Sequence, residues 1–200
     1  GKRLNEKIAE NGYKLSTGFI GTAFLLGALT KAGYAKTAYT LLLREELPSW
    51  LYAVNMGATT VWERWDSILP SGSIRAGEMN SLNHYAYGAV VSWVYKSIIG
   101  INMGVNGERF TSVSFKPYVD ERLKKVYGEY NSASGLYACG YEIEADEIRF
   151  ELTVPYLGSA EFIPPINYII AEIDGEMPNR KIALKGGKHT IICKKQTSKI

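Results

Sequence analysis

Two short stretches hold residue types that can do chemistry together. Residues 62–66 read Trp-Glu-Arg-Trp-Asp, and residues 79–88 read Met-Asn-Ser-Leu-Asn-His-Tyr-Ala-Tyr-Gly. Carboxylates set among indole rings suit a sugar site. Flat rings stack on the apolar C–H faces of a pyranose, while carboxylates hold hydroxyls or move protons. Glu63 lies between Trp62 and Trp65. Indole neighbours strip water from a carboxylate, and a guanidinium such as that of Arg64 favours its charged form. Spacing therefore leaves open whether Glu63 works as an acid or as a base. Asp66 can hold sugar hydroxyls, and a neutral His84 can donate one hydrogen bond and accept another. The plainer alternative makes Trp62 and Trp65 core residues, residues 63–66 a local ion pair and His84 a satisfied core histidine.

Other chemistries find less support. There is no Gly-x-Ser-x-Gly elbow, P-loop, Cys–His nucleophile pair or His-Glu-x-x-His, and residues 104–107 lack a phosphate-binding glycine pattern. Cys139 and Cys193 show no metal-ligand spacing, although one disulfide between them is conceivable. Nothing demands a metal or another cofactor. The formal net charge of +3 comes without a basic run interleaved with aromatics, so nucleic acid is not an expected partner. The longest apolar run, over residues 19–29, is interrupted by Gly21, Thr22 and Gly27 and is too short for a bilayer, so a membrane partner is not expected either.

The elements that must position these residues fall into two halves. Residues 2–13 read as a helix tail ending at Asn11-Gly12. Ser16 or Thr17 can cap a second helix to about Ala32, apolar around most of its circumference. A third runs from Tyr34 to about Glu46. A short fourth has Pro48 in its first turn and passes through Trp50, Leu51 and Val54 to Gly57. Short connections between them predict antiparallel helical hairpins. The β-branched Thr59, Thr60 and Val61 then break the pattern, so residues 62–66 leave the helical layer, and residues 70–77 extend the loop. Asn80 or Ser81 caps a long last helix to about Ile99, with Tyr85 among its apolar positions and His84 in its first turn. Residues 100–107 read as a linker. Beyond it, period-two alternation around 113–115, 126–130, 148–154, 160–162, 182–184 and 190–193 predicts an antiparallel sandwich. His189, beside Lys188, reads as a solvated strand residue. Gly1 and the helix tail behind it suggest a piece of a longer protein.

The motifs Thr17-Gly-Phe-Ile-Gly-Thr, Pro48-Ser-Trp-Leu-Tyr, residues 57–67 and residues 79–88, in this order, closely resemble the later part of the bacterial α-L-rhamnosidases of glycoside hydrolase family 78. The resemblance covers the whole chain. It implies an α+β chain of two domains, the last helices of an (α/α)6 barrel over residues 1–101 and an antiparallel β-sandwich over residues 108–200. It also implies an inverting hydrolysis that releases L-rhamnose from a glycoside or polysaccharide. Glu63 matches the family's general base and His84 its rhamnose-contacting histidine, while Trp62, Trp65 and Asp66 match positions near the pocket. The family's general acid lies upstream of everything matched here, so the isolated chain is expected to be inactive. Helix faces normally covered by upstream helices would favour self-association. A second reading, a non-catalytic carbohydrate-binding protein, uses the same aromatic and acidic pocket without an acid.

Overall fold

A computed structural model describes residues 1–77, 79–104, 111–178 and 182–196. The chain divides into two compact units, Gly1–Trp93 and Val94–Ile200. The first unit holds the helices α1 (Lys2–Glu10), α2 (Phe19–Lys31), α3 (Ala35–Leu42), α4 (Trp50–Asn55) and α5 (Val90–Trp93). Leu25, Leu26 and Leu29 of α2 are buried, as are Ala38, Tyr39 and Leu41 of α3. Trp93 caps this core, meeting Tyr39 edge-on at 5.3 Å and donating from Nε1 to Thr30 Oγ1 at 2.8 Å. A buried indole N–H thus has its acceptor.

Three helical expectations need correction. Pro48 precedes α4 instead of starting it, because the Ser49 hydroxyl accepts the Tyr52 N–H and takes the cap. The third helix stops at Leu42, short of Glu46. The long helix expected from residue 80 starts only at a 3₁₀ turn, Ala86–Ala89, continues as α5 and passes into a π-helical stretch, Val94–Ile99. Its register differs as well: Tyr87 is buried, whereas Tyr85 is 88% exposed.

The second unit is a sandwich of two sheets. Strands β3 (Lys125–Ser132), β4 (Gly135–Glu144), β5 (Glu147–Val154), β9 (Gly187–Lys195) and β7 (Tyr168–Ile173) form a five-stranded antiparallel sheet in that order. Strands β1 (Ile101–Met103), β2 (Ser112–Phe115), β6 (Ser159–Phe162) and β8 (Ala183–Leu184) form the other. Here the all-antiparallel expectation fails, since β2 and β6 run parallel. The chain leaves β2, builds three strands of the opposite sheet and re-enters beside it in the same direction. Strand β1 also occupies part of the expected linker; residues 105–107 lie outside the described residues, as do 108–110 at the start of the expected sandwich. The inner faces meet in one cluster in which Phe150 packs edge-on to Phe162 at 4.9 Å and Phe115 lies 6.5 Å from Tyr137.

Register also decides the cysteines. Cys139 pairs with Leu152, and Cys193 pairs with Ile148, on opposite sides of β5. Two strand spacings of about 4.8 Å, plus the offset along β5, exceed the reach of a disulfide. Both thiols are free and buried, and burial pushes Cys193 up to about 12. His189 is not the solvated residue expected. Its Nδ1 meets Asp174 Oδ2 at 2.8 Å, and its Nε2 meets the Lys185 carbonyl at 2.9 Å.

Phe150→Ala deletes a fully buried ring at the sheet interface and should lower the unfolding free energy by about 3–5 kcal/mol in urea titration. Burial by itself would raise the Asp174 carboxyl, but the His189 and Thr190 hydrogen bonds overcome it and hold it below its ordinary 3.8. A carboxyl lowered by folding stabilises the native state above its unfolded value and loses that contribution as pH falls through the lowered one. The stability difference between the chain and Asp174→Asn should therefore be constant at neutral pH and close in acid, as read from unfolding midpoints across pH.

Candidate active site

The site is assembled from two segments without regular structure that pair with each other. The His84 N–H donates to the Val61 carbonyl at 2.7 Å, the Glu63 N–H to the Ser81 carbonyl at 2.9 Å, and the Thr60 hydroxyl to the Leu82 carbonyl. The Ser81 N–H returns a bond to Glu63 Oε2 at 2.8 Å. Residues 60–63 and 81–84 thereby satisfy backbone groups that β-branched and turn-forming residues leave outside any helix. A tight turn follows, in which the buried Ser67 Oγ accepts the Arg64 N–H and donates to the Arg64 carbonyl. Next, Ile68 bridges to Ile74 around the left-handed Gly72, and the Arg75 N–H donates to the Ser67 carbonyl. That return brings the Arg75 guanidinium onto the Asp66 carboxylate, which also faces Arg64 Nε at 3.8 Å.

Aromatic packing sets the walls. Trp65 stacks on Tyr87 at 3.8 Å and meets Trp50 edge-on at 5.2 Å, and Trp50 Nε1 donates to the Tyr87 carbonyl at 3.0 Å. Burial raises the Tyr87 phenol above its ordinary value; Arg64 opposes the shift and Asp66 adds to it. Phe19, at the start of α2, stacks on His84 at 4.8 Å and meets Tyr87 edge-on at 5.1 Å. The result is a cleft of about 340 Å³ lined by Gly18, Phe19, Glu63, Arg64, Trp65, Asp66 and Tyr87.

Each expected site residue has a definite place. Glu63, Trp65 and Asp66 line the cleft, with Glu63 half-buried. His84 is not among the residues that line the cleft; it stacks on Phe19, which does, and on its own neighbour Tyr85 at 5.2 Å. His84 precedes the 3₁₀ turn instead of sitting in a helical first turn, and its Nδ1 accepts the Ala86 N–H at 3.4 Å. Trp62 is buried and lines a second cavity of about 260 Å³ together with Trp50, Trp65 and Tyr87. Phe19, Tyr87 and Arg75 were not singled out from the sequence. Both Phe19 and Tyr87 lie inside the quoted motifs, but Phe19 reads as an apolar position of the second helix and Tyr87 falls outside the apolar face expected for the last helix. Arg75 is visible only once the turn at 68–74 is known.

The family model described as the bacterial alpha-L-rhamnosidase 6 hairpin glycosidase domain matches residues 1–98, and that described as the bacterial alpha-L-rhamnosidase C-terminal domain matches residues 100–170. The chain belongs to the bacterial alpha-L-rhamnosidase family. An alpha-L-rhamnosidase of Streptomyces avermitilis is 48% identical over 166 residues, which is 83% of this chain and 16% of that protein. The crystal structure of a Streptomyces avermitilis alpha-L-rhamnosidase complexed with L-rhamnose superposes with a TM-score of 0.80 at 32% identity, over 94% of this chain and 19% of that one. The native enzyme of Aspergillus terreus gives 0.83 at 33% identity, over 96% and 21%. The chain thus spans about a fifth of the length of the alpha-L-rhamnosidases it matches.

Trp65 holds the wall between the two cavities. Trp65→Ala should cost roughly 3 kcal/mol of stability in denaturant titration and flatten the near-ultraviolet circular dichroism of the Trp50–Trp65–Tyr87 cluster.

Proposed function

We propose that this chain carries the general base of an inverting α-L-rhamnosidase, and that its first unit forms the last helices of an (α/α)6 barrel. The observation that supports this most is Glu63 on the cleft wall, with Oε2 held by the Ser81 N–H; the other oxygen is assigned to water. In this reading Glu63 takes a proton from a water whose oxygen bonds to the anomeric carbon of a terminal α-L-rhamnose. The glycosidic C–O bond breaks, and a general acid protonates the departing oxygen. One displacement inverts the anomeric centre, with the two carboxyl groups about 6.5–9.5 Å apart.

Asp66 is not that acid in this reading, because two guanidiniums engage it and tie it into the loop. The acid is assigned instead to the length of the relatives that this chain does not span. His84 accepts the Ala86 N–H at Nδ1, and in this reading its Nε2 donates to a rhamnose hydroxyl. Trp65 shapes the apolar side of the pocket, Trp62 backs it from the second cavity, and Asp66 fixes the loop and offers its remaining lone pairs to hydroxyls. The substrate is a rhamnose-terminated glycoside or polysaccharide, and no cofactor takes part.

The test is hydrolysis of p-nitrophenyl α-L-rhamnoside by the longer protein that carries this chain. Glu63→Gln should lower kcat by about 10³-fold with little change in KM, and His84→Ala should raise KM. The 200-residue chain alone should give no turnover. Full activity of Glu63→Gln would remove the base from this position. Rhamnose release by the chain alone, abolished by Glu63→Gln, would put the acid within these residues.

A further inference from the structure

The outer face of the five-stranded sheet carries a second arrangement that the cleft chemistry does not use. On β3, Val126 and Gly128 face the buried Tyr141 and Cys139 of β4, which leaves Lys125, Tyr127 and Glu129 on the opposite face. Tyr127 pairs with Gly140 of β4, and Gly140 pairs in turn with Glu151 of β5. A Cβ built on Gly140 would stand 3.2 Å from Tyr127 Cδ2, so the ring leans over the glycine and along the sheet. Its hydroxyl donates to Glu129 Oε2 at 2.8 Å, which fixes the far end of the ring. The residue is nevertheless 65% exposed.

Beside the ring is a cleft of about 150 Å³ whose lining includes Lys125, Gly140, Glu142, Arg149 and Glu151. Lys125 Nζ lies 3.3 Å from Glu142 Oε2, and Arg149 Nε lies 3.6 Å from Glu151 Oε1. Exposed pairs of this kind add little to stability. Shielding of a strand glycine by an aromatic ring accounts for the contact with Gly140. It does not account for a cleft that joins an exposed, pinned ring to two carboxylates and two cations.

We propose that this surface is a carbohydrate-binding platform: a pyranose of a glycan chain stacks its C–H face on Tyr127 while its hydroxyls bridge Glu142, Arg149 and Glu151. The platform is separate from the Glu63 cleft. Only the choice of a rhamnose-bearing sugar as probe rests on the function proposed above. Few contacts and an open site make for weak binding, in the millimolar range.

The test is titration of the isotopically labelled 200-residue chain with L-rhamnose, D-glucose and a rhamnose-bearing disaccharide, followed by amide and side-chain NMR shifts. At least one sugar should shift resonances of Tyr127, Gly140 and Arg149 in a saturable way. Tyr127→Ala should weaken this binding about tenfold, Tyr127→Phe should keep it, and Arg149→Ala, which leaves the ring in place, should weaken it. Glu63→Gln should leave these shifts unchanged, which separates the platform from the cleft whether or not Glu63 is a catalytic base. Absence of saturable shifts with all three sugars overturns the proposal. So do shifts confined to residues around Glu63, and shifts at β3 and β4 that persist in both Tyr127→Ala and Arg149→Ala.

Discussion

The candidate site depends on the pairing of residues 60–63 with residues 81–84. Neither segment belongs to a helix or a sheet, so their backbone groups would be costly to bury without partners. They use each other. The bonds from His84 to Val61, between Glu63 and Ser81 in both directions, and from Thr60 to Leu82 fix two stretches about twenty residues apart in one register. A carboxylate so tied loses little further rotamer freedom when it meets a substrate, which is the use of preorganisation. The same register sets His84 beside Phe19, whose ring also reaches Tyr87 and the cleft.

Around this pairing the two acidic side chains receive different surroundings. Glu63 accepts one neutral amide hydrogen bond, whereas Asp66 faces Arg75 and Arg64. The guanidinium contacts tie Asp66 into the loop, and the amide bond ties Glu63 to the facing segment through Oε2. The aromatic residues divide in the same way. Trp62 is core, while Trp65 has one ring neighbour stacked and another edge-on and still borders both cavities. Of the two tryptophans three positions apart, the buried Trp62 fits the core reading, and Trp65 borders the cleft.

How much was legible in the sequence depended on whether neighbours or distant segments decide the outcome. Alternation at 148–154 marks a strand with one buried face, and β5 is there. Strand β4 escaped notice because its centre is buried on both sides, so Tyr137 to Tyr141 shows no alternation. The short β1 looked like linker because Gly100 and Gly104 flank it. The helix expected from residue 80 had a good cap and period, but the hydrogen bonds of residues 81–84 to residues 60–63 outcompete helical ones, and the helical run begins only at Ala86. Glu63, Trp65, Asp66 and His84 stand out by type and motif. The cleft that Glu63, Trp65 and Asp66 line does not, because it rests on a pairing that no local pattern encodes, and neither does Arg75, delivered by the turn around Gly72.

Chemical rescue tests the central claim most directly. In a protein that joins this chain to the length of its relatives that it does not span, Glu63→Ala removes the proposed base and makes room for a small anion in the cleft. Added azide, which needs no deprotonation, should restore cleavage of an activated α-L-rhamnoside and yield the β-L-rhamnosyl azide, with inverted configuration. If azide gives no rescue while the variant remains folded, or if the product is the α-azide, then Glu63 is not the base of an inverting reaction.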